Sequence, residues 1–197
     1  MLILGLTGSA AMGKSTVSAM LAELGAAVFD ADRAVHALYQ GRAAPLIEAA
    51  FPGTTRDGAV DRAALRARVF GDAAALARLE AIVHPLVREA EAAARDAAMR
   101  TGRRFLVLDV PLLLETGREG DVDAVVVVSA PKAVQEARLL ARPGIDAAAV
   151  EAIRARQMDD AGKRRRAHVV IDTGGTLDAA PRQAADLLRA FAGAAAG

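Results

Sequence analysis

A glycine-rich segment, GSAAMGKST (residues 8–16), follows an apolar run and precedes a helix-like segment near the start of the chain. It fits the pattern G-x-x-x-x-G-K-[ST], in which tight turns at Gly8 and Gly13 direct successive backbone N–H groups at a phosphate. Lys14 adds a positive charge for the β- and γ-phosphates, and the Ser15 hydroxyl is a ligand for Mg²⁺. The pattern predicts a strand–loop–helix unit that binds a nucleotide; the alternative is a glycine-rich turn in which Lys-Ser occurs by chance.

Short apolar runs without alternation, rich in β-branched residues, predict buried parallel strands. They cover residues 2–7, 26–30, 104–110, 122–129 and 168–172. Helix-like segments separate them, at residues 14–24, 131–140, 146–157 and 177–191. This alternation predicts an α/β fold in three layers, with a doubly wound five-stranded parallel sheet between helices.

Two intervals between the predicted strands are too long for simple crossovers. Residues 32–100 form helices without a convincing strand, with expected breaks at residues 51–61 and at His84-Pro85. Residues 138–166 form a second insertion, and residues 130–166 carry nine basic and five acidic side chains. We therefore expect a core (residues 1–31, 101–137 and 167–197) that carries a helical lobe and a basic lid.

Composition excludes several classes of function. The 25 basic and 24 acidic side chains give a net charge of +1, so no general attraction to nucleic acid or to an anionic membrane is expected. The chain has no cysteine, which excludes disulfides and thiolate metal sites, and its three histidines are scattered. No apolar run reaches the roughly 18 residues of a membrane span, and we expect a cytoplasmic protein. No heptad seam indicates a particular oligomeric state.

The chain also lacks the residues of a guanine-nucleotide switch. Such proteins read guanine with Asn-Lys-x-Asp, and this sequence contains no asparagine. An Asp-x-x-Gly match at residues 172–175 lies near the C-terminus, out of order for a switch loop. The phosphate loop is therefore expected to serve another reaction.

Acidic residues follow two of the predicted strands, where ligands bind in such sheets. Asp32 can orient a hydroxyl group or take its proton, or it can be the N-cap of the next helix. Asp109 can hold Mg²⁺ through water, or it can be an ordinary exposed acid at a strand end. Pro111 stops that strand, and Glu115 is expected to be a capping or substrate-binding group.

Basic residues of the second insertion are candidates for the lid. Arg138 and Arg142 are four residues apart, so one helical face is expected to carry both. With Arg154 and Arg156 they can neutralise phosphate charge on closure, or they can be ordinary solvated arginines. The run KRRR (residues 163–166) is expected to be solvated or at the lid edge rather than a nucleic-acid patch, because the chain has one Tyr and no Trp.

The histidines divide between binding and structural roles. His36 is a candidate for a substrate pocket. His168 begins a predicted strand and is expected to be structural. His84 precedes the expected break at Pro85, and Arg88 lies one turn further on, where it can reach an anionic ligand.

Several segments resemble those of dephospho-CoA kinases in order and spacing. Besides the phosphate loop, they are VFDADRAVH, AIVHPLVR, VLDVPLLLETG, VVVVSAPKAVQEARLLAR, IRARQM and HVVIDTGG, and the resemblance covers about residues 2–191. Members of that family transfer the γ-phosphate of ATP to the ribose 3′-hydroxyl of dephospho-CoA, which completes coenzyme A synthesis. The resemblance implies a nucleotide-kinase-like core, a helical CoA-binding lobe and a mobile lid, with ATP and Mg²⁺ as the donor.

The resemblance also implies roles by position. ATP would be bound by Ala11, Met12, Gly13, Lys14, Ser15, Thr16 and Arg142; the acceptor side would be shaped by His84, Arg88, Pro111, Leu112 and Glu115. Asp32 would be the base for the 3′-hydroxyl, and Arg138 and Arg142 would be the lid cations. Gln135 and Gln157 match family positions without an assigned chemistry.

The sequence departs from the family pattern at two positions. Ala11 stands where glycine is common, so we expect either a negative φ there or weakened ATP binding. Thr173 stands where the family commonly has asparagine, near the expected adenine contacts. Two other functions stay open: another small-molecule P-loop kinase, and a non-catalytic ATP-binding module that engages RNA through residues 163–166.

Overall fold

The computed structural model describes residues 1–146, 149–151, 157–176 and 178–194. The chain forms two compact units, Met1–Phe29 with Ala98–Gly197, and Asp30–Ala97. The strands are β1 Leu2–Thr7, β2 Ala27–Asp30, β3 Thr55–Arg56, β4 Ala59–Val60, β5 Phe105–Asp109, β6 Ala124–Ser129 and β7 Val169–Asp172. The helices are α1 Lys14–Glu23, α2 Ala31–Tyr39, α3 Ala44–Ala50, α4 Arg62–Val69, α5 Ala73–Arg100, α6 Lys132–Leu140, α7 Asp160–Arg166 and α8 Ala179–Ala194.

The main sheet is five-stranded, with the order β2-β5-β1-β6-β7. Every residue of β5 and β6 is buried, as expected for central strands of a parallel sheet that is covered on both faces. The five strands lie within two residues of the predicted bounds, so the predicted α/β fold is confirmed. β1 is the central strand of the sheet, and the phosphate loop follows directly at its carboxyl end.

Helices α1 and α8 cover one face of this sheet. Val17 and Leu21 of α1 and Leu187 of α8 are buried in one cluster with Leu4 and Val126 of the sheet. On the other face, a Cβ at Gly5 would lie 2.6 Å from Cδ2 of Leu113. The segment after β5 therefore packs directly on β1, and a larger residue at position 5 would require the Leu113 side chain to shift.

The second unit has a hydrophobic core of its own, which includes Leu38, Ile47, Phe51, Leu65 and Leu79. Its residues 51–61 contain the antiparallel hairpin β3–β4, where the sequence predicted only a break. Asp57 and Gly58 have φ angles of 52° and 78°. This Asp-Gly pair can adopt the left-handed conformation that a tight two-residue hairpin requires.

The expected helix break at Pro85 is also wrong, because α5 runs unbroken through Pro85. An internal proline removes one backbone hydrogen bond and crowds the preceding turn. Apolar side chains on both sides of it, Ile82, Val83, Leu86 and Val87, pack against the core of the unit. This packing holds both halves of the helix on the same surface.

The lid region is described in part. Helix α6 ends at Leu140, so Arg142 does not share its helical face, contrary to the prediction. Pro143 and Gly144 follow, and Gly144 has a φ of 75°, a left-handed conformation that glycine adopts without strain. Of the predicted helix 146–157, residues 149–151 are helical, while Arg154 and Arg156 lie outside the described residues. No helix within the described ranges is both long and apolar enough to cross a membrane.

Candidate active site

The phosphate loop connects β1 to α1 and is shaped by two glycines. A Cβ at Gly8 would lie 2.6 Å from the carbonyl oxygen of Val128, so no larger residue fits between the loop and β6. Gly13 has a φ of 88° and is the N-cap residue of α1. Lys14, Ser15 and Thr16 form the first turn of α1, where the Thr16 N–H donates to the Gly13 carbonyl oxygen at 3.1 Å. The N–H groups that open a helix have no carbonyl group one turn earlier to bond to. This arrangement suits an anion at the helix N-terminus.

Ala11 has a φ of 61°, so the first of the two expectations, a negative φ, is wrong, and the second, weakened ATP binding, stays a prediction. The left-handed conformation brings an alanine Cβ close to the following carbonyl oxygen, at a cost of roughly 1–2 kcal/mol. The loop therefore keeps the backbone course that a glycine would follow without strain. The surrounding residues must hold it there.

Lys14 and Asp109 form an ion pair within this unit. Asp109, the last residue of β5, has a side chain only 2% exposed, and the alternative of an exposed strand-end acid is therefore wrong. The Lys14 side chain is 18% exposed. A buried carboxylate beside a phosphate-binding lysine suits a divalent cation such as Mg²⁺, which prefers oxygen ligands and is held by a carboxylate either directly or through water.

A second ion pair lies beneath the loop that follows β5. Nζ of Lys163 lies 2.8 Å from Oε1 of Glu115, and the Lys163 side chain is fully buried. The same Glu115 oxygen accepts a hydrogen bond from the Met158 N–H at 3.0 Å. The prediction of a solvated basic run is therefore wrong for Lys163, and Arg164 and Arg166 also donate within the unit, to Ser129 and to Leu114.

The Glu115 carboxyl is held in its ionised form. Burial alone would raise its pKa, but the hydrogen bonds from Lys163 and Met158 outweigh burial and the pKa lies below its ordinary value. Pro111 joins the same network, because its carbonyl oxygen accepts from Nζ of Lys163 at 3.4 Å, and it also accepts from the Thr7 hydroxyl at 2.9 Å. Glu115 thus links the segment after β5 to the base of the lid. A contact between Glu115 and substrate stays a prediction.

Two glutamines without an assigned chemistry hold one residue of the phosphate loop, Ala10, by its N–H and its carbonyl group. The Ala10 N–H donates to Oε1 of Gln157 at 3.0 Å. Nε2 of Gln135 donates to the Ala10 carbonyl oxygen at 2.9 Å. The Gln135 side chain is buried at the start of α6, and Gln157 lies just before α7. The phosphate loop is therefore bonded both to α6 and to the segment before α7.

Arg138 of α6 also bonds to the phosphate loop region. Its Nη2 donates to the Thr173 carbonyl oxygen at 2.7 Å, and its Nη1 donates to the Thr173 hydroxyl at 3.1 Å. A longer bond of 3.4 Å reaches the Ala11 carbonyl oxygen. Sequence reasoning found Arg138 but gave it only a lid role, and the contribution of Thr173 was missed.

A cavity of about 450 Å³ adjoins the loop. Its lining includes Ser9, Met12, Lys132, Gln135, Asp160 and Arg164. Met12 is 2% exposed, and its sulfur accepts a hydrogen bond from the Ala130 N–H. The Met12 side chain is therefore a packing contact between the phosphate loop and the residue that follows β6.

The remaining predicted site residues lie on the second unit. Asp32 and His36 are exposed on α2, and His84 and Arg88 are exposed on α5. The N-cap of α2 is Asp30, whose carboxylate accepts from the Arg33 N–H at 2.9 Å, so the N-cap alternative for Asp32 is wrong. Each pair is four residues apart on one helix, which places its two side chains on the same face.

Comparison with known proteins identifies the family of this chain. A family model described as dephospho-CoA kinase matches residues 2–179. A dephospho-CoA kinase of Mesorhizobium japonicum is 61% identical over 91% of each chain. One of Brucella melitensis is 52% identical over 98% of this chain and 96% of its own.

Solved structures show the same architecture. TT1252 from Thermus thermophilus has a TM-score of 0.84 at 34% identity, over 96% of this chain and 97% of its own. A dephospho-CoA kinase from Campylobacter jejuni has a TM-score of 0.64 at 23% identity, over 95% of each chain, which supports the fold alone. From the family model and the relatives of high identity, we conclude that the chain belongs to the dephospho-CoA kinase family.

Proposed function

We propose that the chain transfers the γ-phosphate of ATP to the ribose 3′-hydroxyl of dephospho-CoA, giving coenzyme A and ADP. The observation that carries this proposal is the phosphate loop with Lys14 paired to the buried Asp109, in a chain of this family. Neither another small-molecule kinase nor an RNA-binding module has comparable support. Lys163, which the RNA alternative needs at the surface, is fully buried.

On the donor side, the loop amides and the N-terminus of α1 hold the β- and γ-phosphates. Lys14 moves from Asp109 towards these phosphates, since their oxygens compete with the carboxylate for its ammonium group. Positioning and charge neutralisation account for most of the rate enhancement in phosphoryl transfer. Gly8, Gly13 and Thr16 contribute through the course of the backbone.

The residues present fit Mg²⁺. Ser15 offers an exposed hydroxyl in the first turn of α1, and Asp109 offers a buried carboxylate at the end of β5. Magnesium typically keeps several waters and takes one or two carboxylates together with substrate phosphates. When bound, the ion neutralises charge on the phosphate oxygens.

On the acceptor side, the 3′-oxygen of the ribose bonds to the γ-phosphorus while Asp32 takes the proton of that hydroxyl group. The bond between the γ-phosphorus and the oxygen that bridges it to the β-phosphate breaks. ADP leaves with that bridging oxygen. His36, His84, Arg88, Pro111, Leu112 and Glu115 bind the acceptor. Arg138 and Arg142 supply positive charge from the lid, and the reaction takes place in the cytoplasm.

Steady-state kinetics of single variants test these roles. Lys14→Ala should lower turnover by several orders of magnitude, because it removes the phosphate-binding charge. Asp32→Asn should lower kcat by about 10²- to 10⁴-fold while the KM for ATP changes little. Asp57→Asn is the matched control, because Asp57 is an exposed acid of the same unit and asparagine tolerates its positive φ.

Two results would contradict the assignments. A Lys14→Ala enzyme near full activity would remove the phosphate loop from the reaction. An Asp32→Asn enzyme that matches the Asp57→Asn control would show that Asp32 takes no part in proton transfer.

A further inference from the structure

Thr173, the first residue after β7, bonds to the phosphate loop and to the lid together. Its hydroxyl donates to the Met12 carbonyl oxygen at 2.7 Å and accepts from Nη1 of Arg138 at 3.1 Å. Its own N–H donates to the Ser129 carbonyl oxygen at 2.9 Å, which fixes Thr173 against β6. The sheet, the loop and α6 are thus linked through one side chain.

The bond to Met12 determines the direction of the next amide. In a planar trans peptide the C=O and N–H groups point in opposite directions. A Met12 carbonyl that is bonded to Thr173 therefore directs the Gly13 N–H away from Thr173. Gly13 is the N-cap residue of α1, where amides that point outward bind anions.

The packing around Thr173 leaves the loop little freedom. A Cβ at Gly13 would lie 3.2 Å from the Thr173 hydroxyl oxygen, so the threonine lies directly against the Gly13 backbone. Two residues earlier, Ala11 keeps a φ of 61°. A strained alanine keeps such a conformation only where its surroundings hold it. Arg138, itself bonded to the Thr173 carbonyl, reaches the Ala11 carbonyl oxygen.

We infer that Thr173 is a positioning residue, whose hydroxyl holds the Met12–Gly13 peptide of the phosphate loop in the orientation that binds nucleotide phosphates. The inference rests on the proposed binding of ATP phosphates by residues 8–16. It makes Thr173 a determinant of ATP affinity that acts through the loop backbone.

Calorimetric titration with Mg²⁺ and ADP tests the inference on two variants. Thr173→Val keeps the shape of the side chain but removes its hydroxyl, and a hydrogen bond of this kind corresponds to about a three- to tenfold loss of affinity. Thr173→Ser keeps the hydroxyl and should stay within about twofold of the unsubstituted enzyme. In kinetics, only the valine variant should raise the KM for ATP, without a change in the KM for dephospho-CoA.

Three results would overturn the inference or separate it from the proposed function. A valine variant with unchanged ADP affinity, or equal losses in valine and serine, would show that the hydroxyl does not position the loop. If circular dichroism shows that Thr173→Val is unfolded, Thr173→Ala replaces it in the comparison with serine. Lys14→Ala distinguishes failure of the proposed phosphate site from failure of the inference about Thr173. If both Lys14→Ala and Thr173→Val bind ADP with unchanged affinity, the proposed phosphate site is wrong. If Lys14→Ala loses affinity and Thr173→Val does not, only the inference fails.

Discussion

Replacing Glu115 by glutamine leaves the Lys163 ammonium without its counter-charge in a fully buried position. Glutamine keeps the length of the side chain, and its amide oxygen can still accept from the Met158 N–H. The substitution therefore removes the charge and little else. Nζ of Lys163 keeps its hydrogen bond to the Pro111 carbonyl oxygen at 3.4 Å, but this neutral group does not compensate the ammonium charge.

The expected loss is large for one substitution. Breaking a buried ion pair by removing one partner costs about 3–5 kcal/mol, because the remaining charge is not compensated. Native domains have only about 5–15 kcal/mol of unfolding free energy in total. The Glu115→Gln variant should therefore unfold at a much lower urea concentration, and its melting temperature should lie well below that of the unsubstituted enzyme.

Urea unfolding at pH 7 measures this effect, with Glu89→Gln as the matched control. Glu89 pairs with Arg42 at 2.9 Å, but both side chains are about 60% exposed (60% and 64%), so the control should lose less than about 1 kcal/mol. Adding Lys163→Met to Glu115→Gln should recover most of the stability, because no buried charge remains. A Glu115→Gln variant as stable as the Glu89→Gln control would refute this reasoning.

The same pair predicts the sign of a pH effect. The folded pKa of Glu115 is lowered, so its contribution is complete above the unfolded carboxyl value and disappears as pH falls through the folded value. The difference in unfolding free energy between the unsubstituted enzyme and Glu115→Gln should shrink on acidification below the ordinary carboxyl pKa. A difference that grows in acid would contradict the ion pair.

The other predictions concern the loop, the metal ligand and α5. In urea unfolding, Ala11→Gly should raise the unfolding free energy by between zero and about 1 kcal/mol, because relief of the left-handed strain outweighs the entropy that glycine loses on folding. Ala10→Gly is the control: φ is not positive at Ala10, so this variant should be destabilised by roughly 0.5–1 kcal/mol in the same assay. Asp109→Asn should lower kcat on the order of a hundredfold and raise the Mg²⁺ concentration needed for half-maximal rate. Pro85→Ala should stabilise the second unit by about 1–3 kcal/mol, since it restores a backbone hydrogen bond in α5, and a loss of stability on thermal unfolding would contradict the unbroken helix.

The sequence predicts the strands of the sheet well because buried parallel strands are continuous apolar runs, as in residues 124–129. It also locates the phosphate loop and the acid at Asp109, since both depend on local pattern. Prediction from sequence fails where tertiary packing determines whether a helix continues or a side chain is buried. The apolar residues around Pro85 hold α5 together, and Lys163 is buried because Glu115, far away in the chain, compensates its charge.

The candidate site shows the same division. Asp30 and Asp32 are equally good N-cap residues in sequence, and only the helix start distinguishes them. Thr173 and the two glutamines bond to backbone groups of the loop, and such contacts leave no pattern in a single sequence. The sequence predicts the end of α6 at residue 140 correctly, but the expectation that Arg138 and Arg142 share a helical face is wrong, because it extends the helical spacing beyond that end.

The most direct test of the account is ADP release with ATP, Mg²⁺ and dephospho-CoA, run beside AMP, adenosine and no acceptor. The account predicts release that depends on dephospho-CoA, with a product heavier by one phosphate and carrying it on the ribose 3′-oxygen by mass spectrometry and ³¹P NMR. Release that depends on AMP or adenosine instead, or the same release without any acceptor, would contradict it.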